Sequence, residues 1–342
     1  MNTMLRTWEK LFETGRILRR SLREQQECIR EVYARLAPYL ASPDGTPAEY
    51  AVRPGAVPSS FYAWRKNLFS TLFHSAYHLL GIEAPRRMLY GRLIHLFRIW
   101  VTSADNLLDD EDKVVVPLEM PGSSRVMRQV VVVMAADRVL AEMLAEAAAS
   151  GLIAPEQGAL LARASLRRLL PSAAQEATEE GGIRERPDPE YVLQVIHRLK
   201  TGLLFNVAFT GPDLLEADLA AARRQGLKDA LMQFGLGCQL LDDVRDMARD
   251  LLEGRHNYVL SVLAHSDPAA LDHLRGAARD VYDRLYLRVP HAALPAARRG
   301  LGLMRDGLRT LGEAGLGFGG AQAESMARSM LAVLDLEGIP YA

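Results

Sequence analysis

Cysteine is nearly absent: Cys28 and Cys238 are the only two in 342 residues. They are too few for a disulfide framework and too far apart for a metal-ligand pair, which fits a reducing compartment. No charge of one sign dominates. Lys and Arg number 41 against 42 Asp and Glu, the formal net charge is −1, and no basic segment stands out. Nucleic acid is therefore not an expected partner. Long apolar runs are also missing. The longest, VVVVMAA from Val130 to Ala136, falls well short of the ~20 residues a membrane-spanning helix needs. The first stretch, MNTMLRTWEKLFETGRILRR, is charged throughout and has no apolar signal-peptide core. These absences predict a cytoplasmic protein without a transmembrane segment.

Strand-like alternation is scarce too, whereas hydrophobic residues reach 49%, enough for a substantial core. Apolar residues recur at three- and four-residue steps, which predicts helices over Leu5–Leu40, Phe61–Leu80, Met88–Leu108, Val126–Ala149, Gln157–Leu170, Tyr191–Thr210, Ala217–Leu252, Ala269–Leu287 and Ala293–Leu311. Proline- and glycine-rich stretches separate them. They are read as loops at Ala41–Ser60, Val116–Ser124 and Pro171–Glu190, with GEAGLGFGGAQ before a last short helix. No linker divides the chain, so one all-α domain over residues 1–342 is the expected architecture.

Two acidic clusters stand out against this pattern. DNLLDDED runs from Asp105 to Asp112, and QLLDDVRDMARD from Gln239 to Asp250. On a helix, Asp105, Asp109 and Asp112 form one row and Asp242, Asp246 and Asp250 another. Like charges at these steps destabilise a bare helix, so each row calls for a cation. Hard divalent ions of the magnesium type take oxygen ligands, often with substrate phosphates. The plainer reading is a solvated face, with Arg245 and Arg249 as ion-pair partners in the second cluster. Two such clusters set among buried-type residues such as Leu240, Leu241 and Val244 favour the metal reading.

DNLLD, DDVRD preceded by Gln239, and the intervening YVLQVIHRLKTGLLF together resemble the trans-isoprenyl diphosphate synthase superfamily, including its class I terpene synthase relatives. The resemblance covers roughly Phe61 to Leu263. It implies an all-α class I isoprenoid synthase bundle around a central cavity. It also implies three Mg2+ ions held by Asp105, Asp109, Asp242, Asp246 and Asp250. Lys200, Arg198 and Arg255 would donate to a diphosphate, with Thr201, Gly202 and Gln239 completing the substrate site. Asp105, Asp109, Asp242, Asp246, Lys200 and Arg198 would be the catalytic set. Asn106 departs from the family's second aspartate.

The branch of the family turns on cations. Chain-elongating members bind isopentenyl diphosphate through a Gly-Lys-Arg-x-Arg-Pro stretch; here WRKNLFS keeps Lys66 without the arginines that follow. Their Arg-Arg-Gly has no counterpart beyond scattered Arg125 and Arg128. The steps of Asp242, Asp246 and Asp250, and EGRHNYV after them, are similar to terpene cyclases. The first expectation is thus a terpene synthase that ionises and cyclises or rearranges a fifteen- or twenty-carbon prenyl diphosphate. The alternatives are a prenyltransferase using isopentenyl diphosphate and a non-catalytic partner subunit of a prenyl synthase. Trp100, Phe97 and Phe73 are cavity candidates, since aromatic faces stabilise carbocations, though helical spacing equally suits plain core. His74, His95 and His197 are read as structural. Lys113–Ser124 is read as a lid. Family members are often homodimers, and the resemblance carries that expectation here.

Overall fold

The computed structural model describes residues 6–108, 111–122, 125–336 and 339. Asp109, named from the sequence, lies outside the described residues. The helices, in order, are α1 Arg6–Thr14, α2 Arg16–Tyr39, α3 Leu68–Leu79, α4 Ala84–Leu108, α5 Arg125–Ala149, α6 Pro155–Ala177, α7 Pro189–Tyr191, α8 Leu203–Val207, α9 Thr210–Leu215, α10 Ala221–Arg245, α11 Met247–Leu252, α12 Tyr258–Ser266, α13 Pro268–Ala277, α14 Pro290–Leu311 and α15 Gly320–Val333. Two π-helical turns, Val192–Ile196 and Arg198–Gly202, fill most of the stretch between α7 and α8. Two short strands, β1 Arg53–Pro54 and β2 Leu118–Glu119, pair antiparallel with Arg53 opposite Glu119. The all-α class expected from the periodicity is observed. Among the described residues no helix is long and apolar enough to cross a membrane.

Contacts group the chain into two compact units. The N-terminal unit holds residues 16–165 and 210–219; the C-terminal unit holds 1–15, 166–209 and 220–342.

In the N-terminal unit α4 packs against α2, α3 and α5. It buries Leu89, Leu93, Leu96, Phe97 and Ile99, a stripe at three- and four-residue steps. Glu24 of α2 is the polar tie. Its Oε2 accepts from His74 Nε2 at 2.7 Å and His78 Nε2 at 2.9 Å, while the Arg87 guanidinium spans both oxygens. Arg20 Nε adds a contact to Oε1 at 3.0 Å. Glu24, His74 and His78 are clustered closely enough to suggest metal ligands. However, the carboxylate is already filled by these donors, so the trio acts as a structural hub joining three helices. Burial works against the Glu24 charge, but His74, His78 and Arg87 outweigh it and hold the carboxyl far below its usual range.

In the C-terminal unit α10 lies along α14, which also meets α12 and α15. Glycines allow the close approach: a Cβ on Gly237 would sit 2.5 Å from the Gly300 carbonyl oxygen and collide with Met304. Trp8 of α1 is fully buried and donates its indole N–H to the Met326 carbonyl at 3.3 Å.

Several boundaries differ from the sequence reading. In place of the single helix expected over Leu5–Leu40 the described residues form two, α1 and α2, broken at Gly15. The expected loop at Pro171 is helix, because α6 continues to Ala177 with Pro171 on an exposed face, where carbonyls left without a partner meet water. The helix expected over Ala269–Leu287 stops at Ala277. The Asp283 carboxylate accepts from the backbone N–H groups of Arg279 and Asp280 at 2.8 and 3.1 Å, a local bond that competes with helix. The short helices α9 and α12 were not anticipated.

Candidate functional site

The C-terminal unit builds its site on the last two turns of α10. Asp242 and Asp246 are partly exposed. The chain turns at Asp246, with φ −92° and ψ 15°, yet its N–H still reaches the Asp242 carbonyl at 2.7 Å, so the row persists through the bend into α11. Arg245 joins the two acids. Its Nη2 lies 2.9 Å from Asp242 Oδ1, and its fork grips both Asp246 oxygens at 2.7 Å. Asp246, with Asp242 behind it, holds the arginine even more firmly charged than usual. One cationic group thus touches both carboxylates, which shows that a single positive centre fits between them. That oxygen-only donor set suits a hard divalent cation.

Asp243, between them, has a different job. It is 2% exposed, accepts from His197 Nε2 at 2.7 Å and from the Tyr258 N–H at 2.6 Å, and takes a bond from Gln239 Nε2 at 3.1 Å. The Thr201 hydroxyl bonds Gln239 Oε1. His197 and Thr201 therefore form an antiparallel two-rung ladder with Asp243 and Gln239. Asn257 completes the frame. Its Nδ2 donates to the Asp243 carbonyl and to Asp250 Oδ2, both at 2.7 Å, and its Oδ1 caps α12 at the Leu260 N–H. Burial and the nearby Asp243 carboxylate push Asp250 well above the usual carboxylate range.

Two of the expected diphosphate donors, Lys200 and Arg255, converge on one carboxylate, and Arg198 does not join them. Lys200 Nζ pairs with Glu176 Oε1 at 3.0 Å, and Arg255 approaches the same carboxylate at 3.8 Å while binding Glu253 at 3.1 Å. Burial opposes the Lys200 charge, but Glu176, Glu179 and Asp250 prevail and its pKa is raised. Burial likewise lifts Glu176, against the pull of Lys200. Arg198 is exposed and takes no part in these bonds. Gly202 closes the second π turn. Glu176 and Glu179 carry no motif, and Pro171 marks their stretch as loop in the sequence; the helical continuation through Pro171 places Glu176 toward Lys200.

In the N-terminal unit, α4 ends at Leu108. Asp112 therefore leaves the expected row and instead meets Arg128 at 3.5 Å. Leu107 and Leu108, set among the acids, are 39% and 41% exposed. Asn106 is buried and works as a staple: its Nδ2 donates to the Lys113 carbonyl at 2.8 Å, and its Oδ1 accepts from the Lys113 N–H at 3.3 Å. Lys113 Nζ in turn reaches Asp105 Oδ2 at 3.5 Å and pairs with Glu111. The described part of the expected lid is tied down by this staple, by β1–β2 pairing and by the Gly55 N–H to the Pro117 carbonyl at 3.0 Å.

Beside Asp105's partner Lys113 is a cavity of about 240 Å³, lined by Tyr33, Phe61, Lys66, His95, Arg98, Thr102 and residues 113–115. Three cationic side chains share it. Lys66 Nζ stands 4.5 Å over the Phe61 ring. Arg98 Nη1 donates to Asn67 Oδ1 at 2.9 Å, and Asn67 is itself fixed by bonds to the Phe61 and Ala63 carbonyls. His95 is 3% exposed, and neither ring nitrogen has a hydrogen-bond partner among the described residues. Burial, with Arg98 adding, drives its pKa down to about 3. Arg98, His95 and Lys113 were not singled out as donors from sequence, because they are scattered between α4 and the loop rather than gathered in a motif. The expected aromatics lie elsewhere: Phe73 and Phe97 are buried, and Phe97 meets Trp100 at 5.8 Å.

No protein-family profile matches the chain, and no curated protein does. Solved structures do. A geranylgeranyl pyrophosphate synthase from Lactobacillus brevis is 14% identical with a TM-score of 0.60, covering 96% of this chain and 98% of its own. A heptaprenyl diphosphate synthase from Staphylococcus aureus is 14% identical with a TM-score of 0.59, covering 90% and 97%. A polyprenyl synthase from Caulobacter crescentus, crystallised with calcium and isoprenyl diphosphate, is 16% identical with a TM-score of 0.56, covering 94% and 98%. The chain therefore has the all-α isoprenoid synthase fold expected from its motifs.

Proposed function

We propose that the protein is a divalent-metal-dependent prenyltransferase that joins an allylic diphosphate to isopentenyl diphosphate. The cavity in the N-terminal unit carries this reading. Lys66, Arg98 and Lys113 share one recess with a buried, unpartnered His95, the charge pattern an anionic second substrate needs. The sequence had suggested that such donors were depleted. Likeness to polyprenyl and geranylgeranyl synthases points the same way.

Asp242 and Asp246 of the C-terminal unit are carboxylates suited to hold Mg2+, and Asp105 of the N-terminal unit is, taken by itself, a candidate ligand of the same kind. When bound, the metal would neutralise charge on a leaving diphosphate. Lys66 and Arg98 would grip the isopentenyl diphosphate headgroup as charge-assisted donors, and Asn67 would orient Arg98. Lys113, held by the Asn106 staple, would stand between that headgroup and Asp105. Apolar helices around the site would exclude water from a cationic intermediate.

A second reading keeps its own support. Asp242, Asp246 and Asp250 at four-residue steps resemble the cyclase metal row, so a terpene synthase acting on one prenyl diphosphate remains the competitor. The test is an assay with Mg2+ and geranyl, farnesyl or geranylgeranyl diphosphate, each with and without isopentenyl diphosphate. Longer prenyl alcohols after phosphatase treatment, formed only with isopentenyl diphosphate, support the transferase. A hydrocarbon from one substrate alone replaces it with the cyclase. No turnover, together with binding to an active synthase, leaves the partner-subunit reading.

A further inference from the structure

Arg245 occupies the oxygens that a metal would need. Both Asp246 oxygens are taken by its Nε and Nη2, and Asp242 Oδ1 by the same Nη2. A carboxylate has lone pairs to spare, but a guanidinium and a divalent ion cannot both sit at hydrogen-bond range of two shared carboxylates without strong like-charge repulsion. The arrangement is built from sequence: Arg245 is three residues past Asp242 and one before the bend at Asp246, so the turn folds Asp246 back onto the arginine fork. The guanidinium is half-buried, and Asp335 after α15 is a third acidic group acting on it. Asp335 holds φ at 55°, in the left-handed region that a non-glycine residue rarely adopts.

We infer that Arg245 is a tethered counter-cation that competes with divalent metal for Asp242 and Asp246, and so sets the metal affinity of this cluster. The inference rests on the metal reading given under the proposed function. It assigns Arg245 a role opposite to that of a substrate-binding arginine: its removal strengthens metal binding instead of weakening catalysis first. Without the arginine the acids would also repel each other, which further favours an incoming cation.

The test is Mn2+ binding to the full chain, read by the loss of the free-ion electron paramagnetic resonance signal and by calorimetry, without substrate. Arg245→Gln should bind Mn2+ roughly tenfold more tightly than the unaltered protein. Arg245→Lys keeps the charge but loses the fork, and should fall between the two. It also serves if the glutamine variant folds poorly by circular dichroism. Asp242→Asn combined with Asp246→Asn should lose the site. Unchanged or weaker affinity in both Arg245 variants, with binding still dependent on the two aspartates, overturns the competition while leaving the metal reading intact. Absence of Mn2+ binding in every variant overturns both.

Discussion

His197 Nε2 and Asp243 Oδ2 are 2.7 Å apart, with side chains only 1% and 2% exposed. The bond joins the π-helical stretch to α10 one residue from Asp242. Asp243→Ala would leave the imidazole and the Tyr258 N–H without their acceptor. We expect a loss of about 3 kcal/mol in stability, since breaking a buried polar pair strands its partner. Urea unfolding checks this, and a loss under 1 kcal/mol would mean the pair is not structural.

Arg98 and Lys66 should matter to the second substrate alone. Arg98→Gln and Lys66→Gln should each raise the KM for isopentenyl diphosphate about tenfold or more, because a charge-assisted donor is removed. The KM for the allylic diphosphate should change little. Steady-state kinetics with each substrate varied in turn decides it; equal effects on both would place the cavity elsewhere in the reaction.

His95 gives a pH dependence with a definite sign. Its pKa is about 3 folded against about 6.5 in an unfolded chain. Above pH 6.5 both states are neutral and its contribution to stability is constant. Below that the unfolded chain takes up a proton that the folded chain refuses, so stability falls by about 1.4 kcal/mol per pH unit down to about pH 3. His95→Gln removes that slope. Unfolding free energies for both proteins between pH 7.5 and 4.5 should diverge accordingly; parallel curves would show that His95 is protonated in the fold.

Gly237→Ala tests the close helix contact. The added methyl meets the Gly300 carbonyl and Met304. A cost of about 1–3 kcal/mol follows from overpacking. A melting temperature equal to that of the unaltered protein would show that α14 can shift aside.

Much of the fold was legible because its helices repeat at 3.6 residues over long spans: α4, α5, α10 and α14 all match expected segments. Boundaries failed where local bonds compete with helix, as Asp283 does after α13, or where a proline lies on a wet face, as Pro171 does. In the candidate site, the placement of Asp242 and Asp246 on one row was readable from spacing, and one guanidinium touches both. The partition of labour within the acidic run was not, because nothing in the letters distinguishes Asp243, which is buried against His197, from its neighbours. The cationic cavity was hidden for another reason. Its donors come from a 3-10 turn, the middle of α4 and a loop, and only folding brings Lys66, Arg98 and Lys113 to one recess.

Asn106 carries a longer consequence. Its amide both gives and takes a hydrogen bond with the backbone of Lys113. An aspartate there could still accept from the N–H, but its second oxygen would face the Lys113 carbonyl with no proton between them. Asn106→Asp would therefore loosen the turn that presents Lys113 to Asp105. The loop is keyed to an amide, and a single added charge at this position meets resistance from the backbone itself.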